Sequence, residues 1–297
     1  MPIVLLCGEK ICAQISPKLS NSMTINCRGH LLDLSRPVVM GILNATPDSF
    51  YEKSRAEHEA DILEKATQML LEGASIIDIG GQSTRPGAAQ VPENEELMRT
   101  IPAISAILKR FPDAVVSIDT YRSTVARAAV EAGASIINDV SGGVFDEKMF
   151  ATAADLKVPY ICMFMPNPTH ETMHARMEFT DILTQTLDFF IEKTGKLRAL
   201  GVVDVILDPG FGFGKSVAEN YLLLKKMHVL AVVGCPVLAG LSRKSMIWKT
   251  LGTSPAESLV GTAALNMVAL QQGAKILRVH DVRAAVEVIR LFGMMDY

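Results

Sequence analysis

The chain has 297 residues, a length that suits one (β/α)8 barrel better than a small domain. Its net charge of −3 gives no electrostatic reason to expect a nucleic-acid partner. Hydrophobic residues make up 49% of it and mean hydropathy is +0.26, yet no apolar run approaches the ~20 residues of a membrane helix, so no membrane partner is expected.

Residues 1–22 look unlike the rest. They lack a signal-peptide core and read as a peripheral or disordered extension, with Met23 as an alternative start. The five cysteines, Cys7, Cys12, Cys27, Cys162 and Cys235, form no Cys-x-x-Cys pair. That argues against a zinc site or a disulfide framework and for a reduced, cytoplasmic setting.

From Met23 onward the chain reads as one domain, 23–297. Two short strands at 24–27 and 30–34 flank Arg28-Gly29 and predict a hairpin. Strands and helices then alternate. Strands are predicted at 38–43, 75–79, 115–118, 136–138, 160–163, 204–207, 237–240 and 276–279. Helices are predicted at about 57–72, 93–110, 122–132, 147–156, 181–200, 218–226, 256–272 and 282–292. Eight strand–helix units in a row predict the α/β class and a (β/α)8 TIM barrel with a short N-terminal β-hairpin. A doubly wound sheet is less favoured, because the first strand runs into Asn44-Ala45-Thr46-Pro47-Asp48 and not into a Gly-x-Gly-x-x-Gly turn.

One phrase recurs: Gly73-Ala74-Ser75-Ile76-Ile77-Asp78, Gly133-Ala134-Ser135-Ile136-Ile137-Asn138 and Gly273-Ala274-Lys275-Ile276-Leu277-Arg278. The glycine suits a helix C-terminus, and the apolar run suits a strand buried on both faces. The polar ending has no packing role. Barrel active sites lie at the C-terminal strand ends. Those ends carry Asn44, Asp78, Asp119, Asn138, Met163, Asp208, Ser242-Arg243-Lys244 and Arg278-Val279-His280. An Asp or Asn at such a place also caps a following helix. Arg and Lys do not, so the ring as a whole reads as a site. Arg243, Lys244, Arg278 and His280 suit an anion, and the Asp and Asn group suits a flat heterocycle rich in N–H donors. The same acids could hold a metal, though their spread disfavours a protein-only cage. Long connections after Asn44 and Gln82 read as lids. Pro209-Gly210-Phe211-Gly212-Phe213-Gly214-Lys215 offers close backbone approach and apolar walls.

Seven motifs together resemble the dihydropteroate synthase family. They are Asn44-Ala45-Thr46-Pro47-Asp48-Ser49-Phe50, Asp78 through Gly87, Ser117-Ile118-Asp119-Thr120, Asn138-Asp139-Val140-Ser141-Gly142, Asp208 through Lys215, Ser242-Arg243-Lys244-Ser245 and Arg278-Val279-His280-Asp281. The resemblance runs from about Met23 to the C-terminus. It implies a transferase of folate biosynthesis, one that joins 6-hydroxymethyl-7,8-dihydropterin diphosphate to p-aminobenzoate and releases diphosphate. It implies that Asp119, Asn138, Met163, Asp208 and Lys244 hold the pterin. Asn44, Arg278 and His280 would bind the diphosphate, with Asn44 also a ligand of Mg²⁺. Thr84, Arg85, Pro86, Phe213, Gly240 and Ser245 would border p-aminobenzoate. Lys244, Arg278, His280, Asp48 and Phe50 would act in catalysis. A homodimer, small-molecule substrates and sulfonamide inhibition are implied as well. Asp78 stays ambiguous, and a structural role beneath the 83–87 loop is the better reading of it.

The sequence departs from that family at two places. Tyr51-Glu52-Lys53-Ser54-Arg55 replaces Asp-Gly-Gly-like turns, and Met163-Phe164-Met165-Pro166-Asn167-Pro168 replaces a Met-His-Met segment followed by glycine. An altered loop shape is expected at each. Two rivals share the pocket: a pterin-dependent methyltransferase domain, and a non-catalytic pterin-binding protein. Neither needs Asn44, Arg278 and His280 together.

Overall fold

The computed structural model describes residues 23–45, 55–83 and 87–295. Strands β1 (Thr24–Cys27) and β2 (His30–Asp33) form the antiparallel hairpin, with Thr24 opposite Asp33 and Cys27 opposite His30. Arg28 and Gly29 turn it with φ of 57° and 94°, the positive values a two-residue hairpin needs. Its buried residues Ile25 and Cys27 pack with Leu34 against the barrel floor. The Asn26 amide donates to Asp204 at 2.9 Å, which ties the hairpin to the barrel.

Eight parallel strands follow: β3 (Val38–Asn44), β4 (Ile76–Gly80), β5 (Val116–Asp119), β6 (Ile136–Asp139), β7 (Tyr160–Met163), β8 (Val205–Asp208), β9 (Val237–Ala239) and β10 (Ala274–Val279). They close into a barrel in chain order, and β10 pairs with β3. The surrounding helices are α1 (Arg55–Glu72), α2 (Glu93–Arg110), α3 (Ser123–Glu131), α4 (Met149–Leu156), α5 (Ile182–Ala199), α6 (Val217–Lys225), α7 (Ser245–Leu251), α8 (Leu259–Gln271) and α9 (Val282–Gly293). A 3₁₀ segment spans Met227–Val233. The glycines that open the recurring phrase take φ of 100°, 117° and 93° at Gly73, Gly133 and Gly273, as a left-handed helix exit requires.

One helix differs from expectation. The predicted 256–272 helix begins at Leu259, and a separate helix, α7, precedes it. Gly252 ends α7 with φ of 66°, and Pro255 prevents the two from fusing.

The side-chain alternation of the strands places the site. One set of strand residues, including Val39, Leu43, Ile77, Ile79, Ile137 and Leu277, joins the large core under the helices. The alternate set, Met40, Ile76, Ile136, Ile161, Ile206, Leu238 and Ile276, packs inside the barrel and seals its lower end. Two residues further along each strand, the same inward face carries Ile42, Asp78, Asn138, Met163, Asp208, Gly240 and Arg278. The polar ring therefore stands one pleat above an apolar plug.

Candidate active site

Arg278 is the hub. Its Nε donates to Asp78 Oδ2 at 2.7 Å, and its guanidinium meets Asp119 Oδ2 at 2.5 Å. Asn138 Nδ2 donates to the same Asp78 oxygen at 3.0 Å. Three strands, β4, β5 and β6, are thus tied to β10 through one carboxylate pair. Asp78, ambiguous in sequence, is wholly buried and orients both Arg278 and Asn138. Its Oδ1 has no hydrogen-bond partner, and neither has Ser117 Oγ on the neighbouring strand, where Ser117 is in register with Asp78.

The acids and the lysine sit out of water, which shifts their titration. Burial raises Asp119 to about 7, and Arg278 only partly opposes this. Burial also raises Asp208, against a hydrogen bond from the Gly210 amide at 2.8 Å and attraction from Lys244. Burial lowers Lys244 to about 8, with Asp208 pulling the other way. Lys244 occupies the N-cap position of α7, but its side chain makes no cap bond. Its ammonium instead lies 4.3 Å from the centre of the Phe213 ring. Gly240, after β9, lies beside Asp208: a Cβ there would meet Asp208 Oδ2 at 3.9 Å. Ser245 opens α7.

His280 is held by Ser242, whose hydroxyl lies 3.0 Å from the ring Nδ1 and accepts from the His280 amide at 3.2 Å. Asn44 ends β3 exposed at the mouth, in register with Gly80, which lies against Asp119. Arg243 departs from expectation. It pairs with Asp281 at 2.7 and 3.1 Å, so its guanidinium is already engaged by a carboxylate.

The loop after β8 is built rigidly. Lys215 is buried and donates to the carbonyls of Gly210 at 2.8 Å and Phe213 at 3.2 Å. Burial lowers its ammonium to about 7. Asn220 accepts from the Gly212 amide at 2.7 Å and anchors the loop to α6. The replacement at Phe164 has a plain explanation. Alternation turns Phe164 outward, where it packs edge-on against Phe189 at 5.2 Å, while Met163 faces inward. The Lys215 ammonium lies 4.6 Å from the centre of the Phe164 ring.

Asp48 and Phe50, with the departure at 51–54, lie outside the described residues, as do Thr84, Arg85 and Pro86. Gln82, Tyr121, His170 and His174 also stand at the mouth, and sequence reasoning missed them. Alternation flags Asp78 and Ser117, but nothing local marks the two histidines. Among the described residues no group of three His, Cys, Asp or Glu side chains is arranged to hold a metal ion. No described helix is long and apolar enough to cross a membrane.

A family profile described as "Pterin binding enzyme" matches residues 40–280. The chain is 40% identical to the dihydropteroate synthase of Escherichia coli K12 over 271 residues, covering 91% of this chain and 95% of that one. This chain belongs to the dihydropteroate synthase family. Two solved structures extend the likeness. Xanthomonas albilineans dihydropteroate synthase with 4-aminobenzoic acid superposes with a TM-score of 0.84 at 38% identity, over 93% of this chain and 98% of that one. The Yersinia pestis enzyme in a sulfonamide drug complex gives a TM-score of 0.84 at 40% identity, over 92% and 99%. The methyltransferase and non-catalytic alternatives gain nothing from these likenesses.

Proposed function

We propose that this chain is a dihydropteroate synthase, condensing 6-hydroxymethyl-7,8-dihydropterin diphosphate with p-aminobenzoate to give 7,8-dihydropteroate and diphosphate. The observation that carries the reading is the polar ring of buried Asn138 and Asp208 with half-buried Asp119, Lys244 and Arg278 above an apolar plug, in a chain 40% identical to the E. coli enzyme along nearly its whole length. The domain is residues 23–297, with 1–22 as an extension.

Asp208 and Asn138 accept and donate along the edge of the flat pterin, Asp119 completes that edge, and Met163 packs on a ring face. Lys244 donates to the pterin carbonyl or a ring nitrogen. Arg278 and His280 bind the diphosphate. Electrostatic stabilisation of a leaving group is worth more where solvent screening is reduced, and both cations are half-buried. As the C–O bond lengthens, the pterin ring spreads the growing positive charge of its methylene. The aryl amine, bordered by Thr84, Arg85, Pro86, Phe213, Gly240 and Ser245, attacks that carbon. No protein nucleophile is needed, so catalysis is positioning and charge. Asp48 and Phe50 are assigned to catalysis by the family resemblance.

Asn44 fits Mg²⁺ in this scheme. A hard cation takes amide oxygens, keeps several waters and shares phosphate oxygens, so one protein ligand at the mouth suffices. Bound Mg²⁺ supplies charge neutralisation to the diphosphate. Exposed Leu251, Val260, Leu291 and Met294, on or just after the adjoining helices α7, α8 and α9, support a homodimer. A cytoplasmic setting fits three buried free cysteines, Cys27, Cys162 and Cys235.

The test is incubation of the purified chain with pterin diphosphate, p-aminobenzoate and Mg²⁺. Diphosphate release that requires both organic substrates is expected. Folded protein that releases none overturns the reading.

A further inference from the structure

The connection between β7 and α5, residues 164–181, is far longer than the usual strand-to-helix link. It is nevertheless an ordered wall. Asn167 is buried and donates from Nδ2 to the carbonyls of Ala175 at 3.0 Å and Met173 at 3.3 Å. The Met177 amide donates to Gly214 at 2.9 Å, and Arg176 pairs with Glu219 at 2.6 and 3.1 Å. Met165 and Met173 join Tyr121, Val140, Met163 and Phe213 in a separate apolar cluster at the barrel mouth.

Two histidines of this wall reach two different elements. His174 lies flat on Phe213, with ring centres 5.1 Å apart and planes 17° from parallel. The same Phe213 ring has Lys244 Nζ at 4.3 Å. His170 Nε2 lies 2.6 Å from Gln82 Nε2, two residues before Thr84. Tyr121 braces this contact. Its hydroxyl donates to Gln82 Oε1 at 3.4 Å and accepts from Gln90 at 3.0 Å, and its ring lies 5.5 Å from His170.

We infer that the 164–181 wall sets recognition of the arylamine substrate, with His174 and His170 as positioning residues. This rests on the reading above, in which Phe213 and the segment from Thr84 border p-aminobenzoate. The wall contacts Phe213 directly and Gln82, which precedes the other border. His174 fixes the tilt of the Phe213 ring against which the aryl group packs. His170 holds Gln82, and so the root of the loop that follows. The pterin groups on β5, β6 and β10 are held by Asp78 and Arg278. Met163 and Lys244 share the cluster and the Phe213 ring with the wall, but the two histidines reach only Phe213 and Gln82, so their effect falls first on the arylamine.

The experiment compares His174→Ala, His174→Phe and His170→Ala with the parent chain, by steady-state kinetics and by calorimetry of p-aminobenzoate binding in the presence of diphosphate and a pterin. An aromatic stack is worth enough to raise KM for p-aminobenzoate about three- to tenfold in His174→Ala. KM for the pterin diphosphate stays within about twofold. His174→Phe restores the parent value, because it keeps the stack and discards the imidazole. His170→Ala raises KM for the same substrate. An unchanged arylamine KM in His174→Ala, or an equal rise for both substrates, overturns the inference. A parent chain that binds p-aminobenzoate without turnover sinks the synthase reading; the calorimetric loss in His174→Ala then still decides this one. A parent chain that binds no arylamine overturns both.

Discussion

At the scale of single residues, the most consequential finding is Asp78. The recurring strand phrase ends there as it does at Asn138 and Arg278, yet Asp78 is the member of the ring that holds the other two. One carboxylate oxygen accepts from both. Removing it leaves a buried guanidinium with one partner in place of two. A hydrogen bond to a charged group is worth about 1.5–3 kcal/mol, so Asp78→Ala is expected to lower kcat/KM for the pterin diphosphate by roughly tenfold to a hundredfold. KM for p-aminobenzoate should hardly move, and two-substrate kinetics check this. The pH profile is a second residue-scale consequence. In the free enzyme Asp119 ionises only above about 7, so acceptor strength toward the pterin is lost below that pH. Lys244 loses its proton above about 8, so donation to the pterin is lost above it. The expected kcat/KM profile is a narrow bell between those limbs. Lys244→Arg moves its alkaline limb upward, since guanidinium stays charged; a limb that stays put would assign it elsewhere.

At the scale of elements, the loop after β8 converts a glycine-rich string into a fixed surface. Gly210 takes φ of 66°, and a Cβ there would sit 2.4 Å from the Phe164 carbonyl oxygen. Gly210→Ala therefore meets backbone strain and a backbone clash together. We expect a loss of about 1–3 kcal/mol by denaturant unfolding and weakened pterin binding, because the Gly210 amide is a partner of Asp208. The strands themselves are legible from sequence. β1 and β7 fall at their expected bounds, and the others differ by one or two residues at one or both ends. Their apolar runs are buried on both faces, a pattern that needs no knowledge of the partner strand. The 3₁₀ segment Met227–Val233 and the split between α7 and α8 are not legible. Neither Ser245–Leu251 nor Met227–Val233 is predicted, because each is a run of only seven residues, too short for a helical period to stand out.

At the scale of the whole molecule, the ligand-free protein holds several ionisable groups in unfavourable surroundings. Asp119, Asp139 and Asp208 are raised and Lys215 and Lys244 lowered, each chiefly by burial. For the raised carboxylates the folded state binds protons more tightly than the unfolded chain. Their contribution to stability is present below the ordinary carboxylate range and is lost as pH rises through the folded values, near 7 for Asp119. A ligand whose N–H groups meet those carboxylates offsets that loss. Pterin diphosphate at a hundred times its Kd should add about 2.7 kcal/mol of stability, read as a rise of several degrees in Tm. Asp208→Ala should abolish most of that rise while the barrel still melts cooperatively. A rise that survives this change would place the pterin elsewhere.

The sequence by itself determined the barrel class, the strand that carries each polar ending, and the family. Those follow from local facts: period, burial of a strand on both faces, and motifs that run in order. It did not determine which polar ending holds which. Asp78 bonded to Arg278, Arg243 turned out to Asp281, and His174 laid on Phe213 join residues 200, 38 and 39 positions apart. Closure of the barrel brings β10 beside β3 and sets Arg278 against Asp78, and the other two pairs form where neighbouring strand ends and their loops pack side by side. Alternation along a strand says which face a residue takes. The neighbour across the barrel decides whether it binds substrate or holds a residue that does.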